Sequence, residues 1–207
     1  MPANRFAAWS SSEPVAPTTA VEVLDFWFGN PGSPERGEPR DVWFRKSETF
    51  DNAVREHFLP LYEQAAAGAL GAWNDAPHAL LALIILLDQF PRNMFRNAAR
   101  AFATDGAALA AATRMVEQGW DVKLAPVARW FAYLPFEHAE DAVMQQRSVQ
   151  LFASLATGSA LADVLVWARK HHDVIARFGR FPHRNAVLGR VSTAAEIEFL
   201  KEPGSTF

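Results

Sequence analysis

The stretch Ala79–Asn93, ALLALIILLDQFPRN, opens with nine consecutive apolar residues, Ala79 to Leu87, and turns polar at Asp88. Nine residues are too few to cross a bilayer, which takes about 20. A helix that is apolar on every side is one covered on every side. The stretch therefore reads as a core helix over Pro77–Gln89, with Pro77 suited to its first turn. Phe90-Pro91 is expected to end it, because the residue before a proline is pushed out of helical backbone. Asp88 then stands at a helix C-terminus, where the macrodipole opposes negative charge. Buried there, a carboxylate requires a cationic or hydrogen-bonding partner.

The obvious source of a partner is a later echo, Arg177–Asn185, RFGRFPHRN. In both words an aromatic-Pro pair precedes guanidinium and carboxamide donors. Backbone N–H groups in such turns form anion-binding nests, and an arginine fork matches carboxylate or phosphate. One reading is that Arg92, Arg177 or Arg184 neutralises Asp88 while Asn93 and Asn185 cap loops. The other is that the excess cations line a pocket for an anionic ligand. The two are compatible, since one carboxylate does not satisfy this many cations.

Composition supports an internal acid–base centre. The chain has 207 residues, enough for one domain with a real core. Its net charge of −3 conceals a segment, Arg169 to Arg190, that carries six Lys/Arg against the single acid Asp173. A local positive field in an acidic protein points to an anionic ligand or an internal acidic partner. Nucleic-acid binding is not expected, because the basic surface is too small, and no membrane span is expected. Cysteine is absent, which excludes disulfides and thiolate chemistry and suits a reducing cytosol. The N-terminus lacks a signal-peptide apolar region. Residues 1–18 are expected to be a tail, 19–202 a single domain and 203–207 a short C-terminal tail.

Outward from the core helix, periodicity predicts helices throughout. Thr19-Ala-Val-Glu22 reads as a capping box for a helix ended by Gly29, followed by the loop GNPGSPERGEPR. Ser47 is expected to cap a helix with Phe50, Val54, Phe58 and Leu61 on one face, kinked by Pro60. Thr104 or Asp105 caps an alanine-rich helix to Gln118. Another starts at Pro126 and stops at Pro135. The acidic stretch Glu137–Asp141 leads into a helix to about Ala156, and Leu161–Phe178 follows with His171 on its apolar stripe. Thr193-Ala-Ala-Glu196 is a second capping box, for a last helix to about Lys201. No stretch alternates with period two, so the expectation is an all-α fold of about eight helices in antiparallel hairpins.

His171 and His138 are the candidate catalytic groups, as bases or proton donors tunable near neutral pH. A lone histidine on an apolar face is more often a satisfied core residue. A metal site from His138, Asp141 and His171 matches no HExxH or paired ExxH spacing, so no metal is expected. There is no Walker loop, GxGxxG or GxSxG, and no cofactor is expected. The aromatic pairs around Trp27, Trp43 and Trp130 read as core.

The words VLDFWFG, LLDQFPRN, YLPFEHAED, VIARFGRFPHRNAVLGR and the ST--E--FL pattern resemble the bacterial family catalogued as domain of unknown function 924, over about Val21 to Leu200. The resemblance implies an all-helical fold similar to tetratricopeptide-repeat proteins and implies no particular activity. It marks Asp88, Gln89, Arg92, Asn93, Asp105, His138, His171, Arg177, Arg180, His183, Arg184, Asn185 and Arg190 as characteristic polar positions. Ala139 stands where the family has serine.

The leading functional expectation is a cytosolic protein that binds a small anionic metabolite or a peptide carboxylate. Its ligand-binding candidates are Asp88, Arg92, Asn93, Arg177, Arg180, His183, Arg184, Asn185 and Arg190, with Trp27, Trp43 or Phe181 as walls. The alternatives are a histidine-dependent hydrolase or lyase acting on an anionic substrate, and a tetratricopeptide-like scaffold for peptides. Oligomeric state is not legible.

Overall fold

A computed structural model of the chain describes residues 18–157, 161 and 163–206. The expected N-terminal tail, apart from Thr18, lies outside the described residues. Among those described there are eight α-helices and no strand, and no helix is long and apolar enough to cross a membrane.

The core helix, α3 (Pro77–Met94), is the axis of the fold. Every residue from Ala79 to Pro91 is buried, because α1 (Thr18–Phe28), α2 (Glu48–Ala66), α4 (Asp105–Glu117) and α5 (Pro126–Glu137) all pack on it. That arrangement explains an apolar run with no polar face. Ser47 caps α2 as expected, its hydroxyl accepting from the Phe50 N–H. The loop after α1 is fastened back onto it: Arg36 donates to Asp25 and to the Gly29 carbonyl, and Arg40 donates to the Phe26 and Trp27 carbonyls. Guanidinium groups thus satisfy carbonyls that a helix C-terminus leaves open. The Trp27, Phe28, Trp43 and Phe131 rings interlock where α1 meets α5.

Two expected helix ends are wrong, each at a proline that the helix runs through. α3 does not stop at Phe90 but runs through Pro91 to Met94, and α5 runs through Pro135 to Glu137. Pro91 has no N–H, so the Leu87 carbonyl loses its helical partner. The Thr104 hydroxyl replaces that partner, donating to Leu87 O at 2.6 Å. Thr104 is the N-cap residue of α4 but makes no side-chain cap bond there. For Pro135 the last turn is held by burial of Phe136 and Glu137. Smaller differences follow the same logic of packing over local signal. α1 already begins at Thr18, which puts Thr19 in its first turn rather than at its cap.

The remaining helices are α6 (Ala142–Ala156), α7 (Val164–Phe178) and α8 (Ala194–Phe199). Asp141 caps α6 through the Met144 N–H, so Ala139 is not needed there. The Thr193–Glu196 capping box opens α8 as expected. Helices α5, α6 and α7 pack in succession. A small second core of Val174, Ile175, Phe181 and Phe199 joins α7 to α8. The charged groups discussed next lie where this small core meets the large one.

Candidate functional site

Because α3 continues past Pro91, its last turns carry polar residues at steps of four. Asp88 and Arg92 form an i,i+4 pair at 3.3 Å. Gln89 and Asn93 are similarly spaced, and Arg96 follows Arg92 just beyond the helix. Asp88 is 0% exposed. His138 Nδ1 lies 2.7 Å from its Oδ1, and Gln89 Nε2 donates to its Oδ2 at 2.5 Å. Burial alone would raise the Asp88 pKa, but the Arg92 and His138 charges and the two hydrogen bonds outweigh it and hold the carboxyl well below its ordinary range. With Asp88 ionised, the short contact requires the proton on His138 Nδ1, which leaves Nε2 as an acceptor when the ring is neutral. Burial, with Arg92 beside it, keeps the His138 ring below its usual pKa.

Of the arginines expected to neutralise Asp88, Arg92 does so, with His138 as the second partner; among the described residues none of the echo arginines, Arg177, Arg180 or Arg184, forms an ion pair with it. The link instead runs through Asp105. Arg92 binds Asp105 with both Nη groups, at 3.0 and 3.1 Å, and Arg184 Nη1 reaches Asp105 Oδ2 at 3.2 Å. Arg184 is 5% exposed. Its guanidinium lies between the rings of Phe102 and Phe181, 4.6 and 4.5 Å from their centroids, a cation–π arrangement strengthened by desolvation. Burial, aided by Arg92, brings its pKa down to about 10, which still leaves it charged at neutral pH. Its Nε is buried with no hydrogen-bond partner.

Several other candidates have local duties. Arg180 binds Glu196 through Nε and Nη2. Arg190 binds Glu140 through both Nη groups, and Asn185 bridges Arg190 to Ser192. Arg177 lies over Phe178 and Phe199 on the outside of the small core. These groups clamp the FPHRN turn to its surroundings. Within Arg169–Arg190 the polar cleft takes Arg184, His183 and His171, and its other two arginines, Arg92 and Arg96, come from α3 and its C-terminal end. Trp27 is 0% exposed in the aromatic core and is no pocket wall, whereas Trp43 does line the cleft. Phe181, also fully buried, supports Arg184 from below.

That cleft has a volume of about 250 Å³. Arg92, Arg96 and Arg184 line it, together with Gln89, Asn93 and Asn97. Its other walls are His138, His171 and His183, the rings of Trp43, Phe44 and Phe102, and Ala101. No carboxylate is among them. The acids stand behind the cations: Asp51 holds Arg96 and Asn93, while Asp88 and Asp105 hold Arg92. A neighbouring cleft of about 370 Å³, on Asp105, Glu140 and Asp141, has mixed charge.

Glu137 is the group that sequence reading missed. It was grouped with the acids that open α6, but it is the last residue of α5, where the helix dipole disfavours a negative charge. It is 4% exposed. Burial, with the Asp88 charge nearby, pushes its pKa up to about 8. His171 Nδ1 lies 3.2 Å from Glu137 Oε1 and 2.9 Å from the Trp167 carbonyl. Burial holds His171 down to about 3. At neutral pH the two form an uncharged pair beside the ionised Asp88–Arg92–Asp105 network. Among the described residues no group of three His, Asp or Glu side chains is placed to hold a metal ion.

A family profile described as bacterial protein of unknown function (DUF924) matches residues 23–204. A solved structure, that of a protein of unknown function from Agrobacterium tumefaciens, is similar at 39% identity, with a TM-score of 0.78, over 88% of this chain and 97% of that one. No curated protein matches the chain significantly.

Proposed function

Since the chain belongs to the bacterial family DUF924, whose membership defines a fold and leaves the chemistry to the site, we propose that it binds a small carboxylate or phosphate in the cleft of Arg92, Arg96 and Arg184. The observation that carries this reading is a cleft lined by three guanidiniums and no carboxylate. A guanidinium fork matches the oxygens of a carboxylate or phosphate. The acids behind the arginines orient them without occupying the cleft. A free metabolite and the carboxylate of a peptide both present the required group. Without cysteine, such a binder is suited to the cytosol.

Titration calorimetry with inorganic phosphate and with acetate tests it. Arg184→Ala should weaken binding about tenfold or more, with Arg184→Lys in between because it keeps the charge and loses the fork. Equal affinity in wild type and Arg184→Ala would sink the reading.

A second reading is favoured by the Asp88–His138 contact. An ionised aspartate that fixes the Nδ1–H tautomer makes Nε2 a base, here beside guanidiniums able to stabilise developing negative charge. This describes a hydrolase or lyase acting on an anion. Phosphate release from a set of phosphomonoesters, and elimination from a set of 3-hydroxy acids, should then occur in wild type and fall at least about a hundredfold in His138→Gln. Turnover that survives this substitution would remove the second reading.

A further inference from the structure

A larger cleft, of about 490 Å³, adjoins the cationic one and shares three side chains with it: Phe44, His138 and His171. Its remaining walls are mainly apolar, from Trp130, Leu134, Val164 and Trp167. Phe44 stands at the junction, 57% exposed and stacked on Trp130 with centroids 5.0 Å apart. Trp167 is 47% exposed, an indole whose backbone carbonyl, rather than its ring, serves His171. Large exposed aromatics on a concave apolar wall are unusual for a surface with no ligand or partner. The volume lies within the range of about 300–1,000 Å³ typical of small-molecule sites.

The polar groups in this cleft fit an apolar occupant. Glu137 and His171 both line it, and they are the pair that is uncharged at neutral pH. Asp163, the other carboxylate in the lining, is exposed. One side of the shared wall therefore offers cations and the other a largely aromatic surface with an exposed carboxylate, Asp163, in its lining. Each side lacks what the other supplies.

We propose that the two clefts take one ligand, a carboxylate or phosphate bearing an apolar body, with its head among Arg92, Arg96 and Arg184 and its body between Phe44, Trp130 and Trp167. This rests on the anion reading above and adds the chemical class of the ligand. The shared Phe44, His138 and His171 are its midpoint, so a ligand of this kind spans from one side to the other across the Phe44 ring. Chain length and aromatic bulk, and not head-group charge alone, then set affinity.

The test compares matched probes on the full chain by titration calorimetry: acetate against octanoate, and inorganic phosphate against 1-naphthyl phosphate. Octanoate and 1-naphthyl phosphate should each bind at least about tenfold more tightly than their short partners, since burying even a few methylenes supplies that factor. Trp167→Glu places a negative charge on the apolar wall at an exposed position. It should abolish the gain while leaving acetate and phosphate affinities unchanged, with the circular dichroism spectrum as the check on folding. If short and long probes bind equally, the inference fails and the anion reading stands. If no anion binds, both fail. Octanol binding as tightly as octanoate would overturn the shared-ligand proposal, as would a concentration-dependent dimer that Trp167→Glu dissociates, because a second copy would then be what covers the aromatic wall.

Discussion

Asp88→Ala should destabilise the protein by about 3–5 kcal/mol, the range found when one partner of a buried charged pair is removed. The size follows from what the substitution leaves behind. Asp88 is fully enclosed and serves Gln89, Arg92 and His138 together. Alanine supplies no acceptor to any of them and opens a cavity in the middle of α3. Arg92 retains Asp105, so its charge is not orphaned, but the Gln89 amide and the His138 ring lose the carboxylate they bind. Urea unfolding followed by circular dichroism measures the effect. Asp88→Asn should cost less, because a carboxamide keeps one acceptor oxygen. A loss below about 1 kcal/mol for Asp88→Ala would show that the charge network is not the structural centre of the fold. The sign against pH is fixed by the depressed Asp88 pKa. Its contribution is present above the ordinary value of 3.8 and is lost as pH falls through the lower folded value.

The second large effect is on the alkaline side and has the opposite sense. Glu137 rises from 4.5 to about 8 on folding, so the unfolded chain releases this proton earlier than the native one. Below pH 4.5 the group costs nothing. As pH rises from 4.5 to about 8, native stability falls by at most about 1.4 kcal/mol per unit. His171 runs the other way, depressed from 6.5 to about 3, and removes stability as pH falls below 6.5. Between 4.5 and 6.5 these two slopes oppose each other, and His183 and His78, each lowered to about 4 chiefly by burial, tilt the balance toward loss in acid. Stability should therefore peak near pH 6.5 and decline toward pH 8. Glu137→Gln, which keeps the shape and removes the titration, should abolish that decline and raise stability at pH 8 by roughly 2–4 kcal/mol. Unfolding midpoints at pH 6, 7 and 8 for both proteins decide it. A variant less stable than wild type at pH 8 would mean that the Glu137 carboxylate is ionised in the native state.

The two substitutions separate two halves of one polar centre. Asp88 belongs to an ionised network built from α3 and the first residue of α4, Asp105. Glu137 and His171 form a neutral pair between α5 and α7. They are neighbours in electrostatic terms, since the Asp88 charge contributes to keeping Glu137 protonated. Asp88→Asn should accordingly lower the folded pKa of Glu137, so that the alkaline decline of stability ends at a lower pH and is smaller.

Much of this protein is written locally. The nine-residue apolar run, the Ser47 cap, the Thr193–Glu196 box and the His171 stripe each depend on residues within a turn or two of one another, so the all-helical fold and the burial of α3 follow from sequence. The word LLDQFPRN also marks the place of the site. What local signals do not contain is the fate of a proline inside a buried helix. Pro91 was read as a stop because it withdraws a hydrogen bond; the helix continues because Thr104, thirteen residues on, returns one to Leu87. With the helix continued, Arg92 stands in register with Asp88 and Arg96 lines the cleft. In the same way, the continuation through Pro135 makes Glu137 the end of one helix rather than the beginning of the next, and burial there raises its pKa. The choice among the clustered arginines was likewise made by carboxylates distant in sequence: Glu196 takes Arg180, Glu140 takes Arg190 and Asp105 takes Arg184. Periodicity reports which face of a helix is covered, but a charge finds its partner through whatever the packed helices bring within a few ångströms, and that is a property of the tertiary structure.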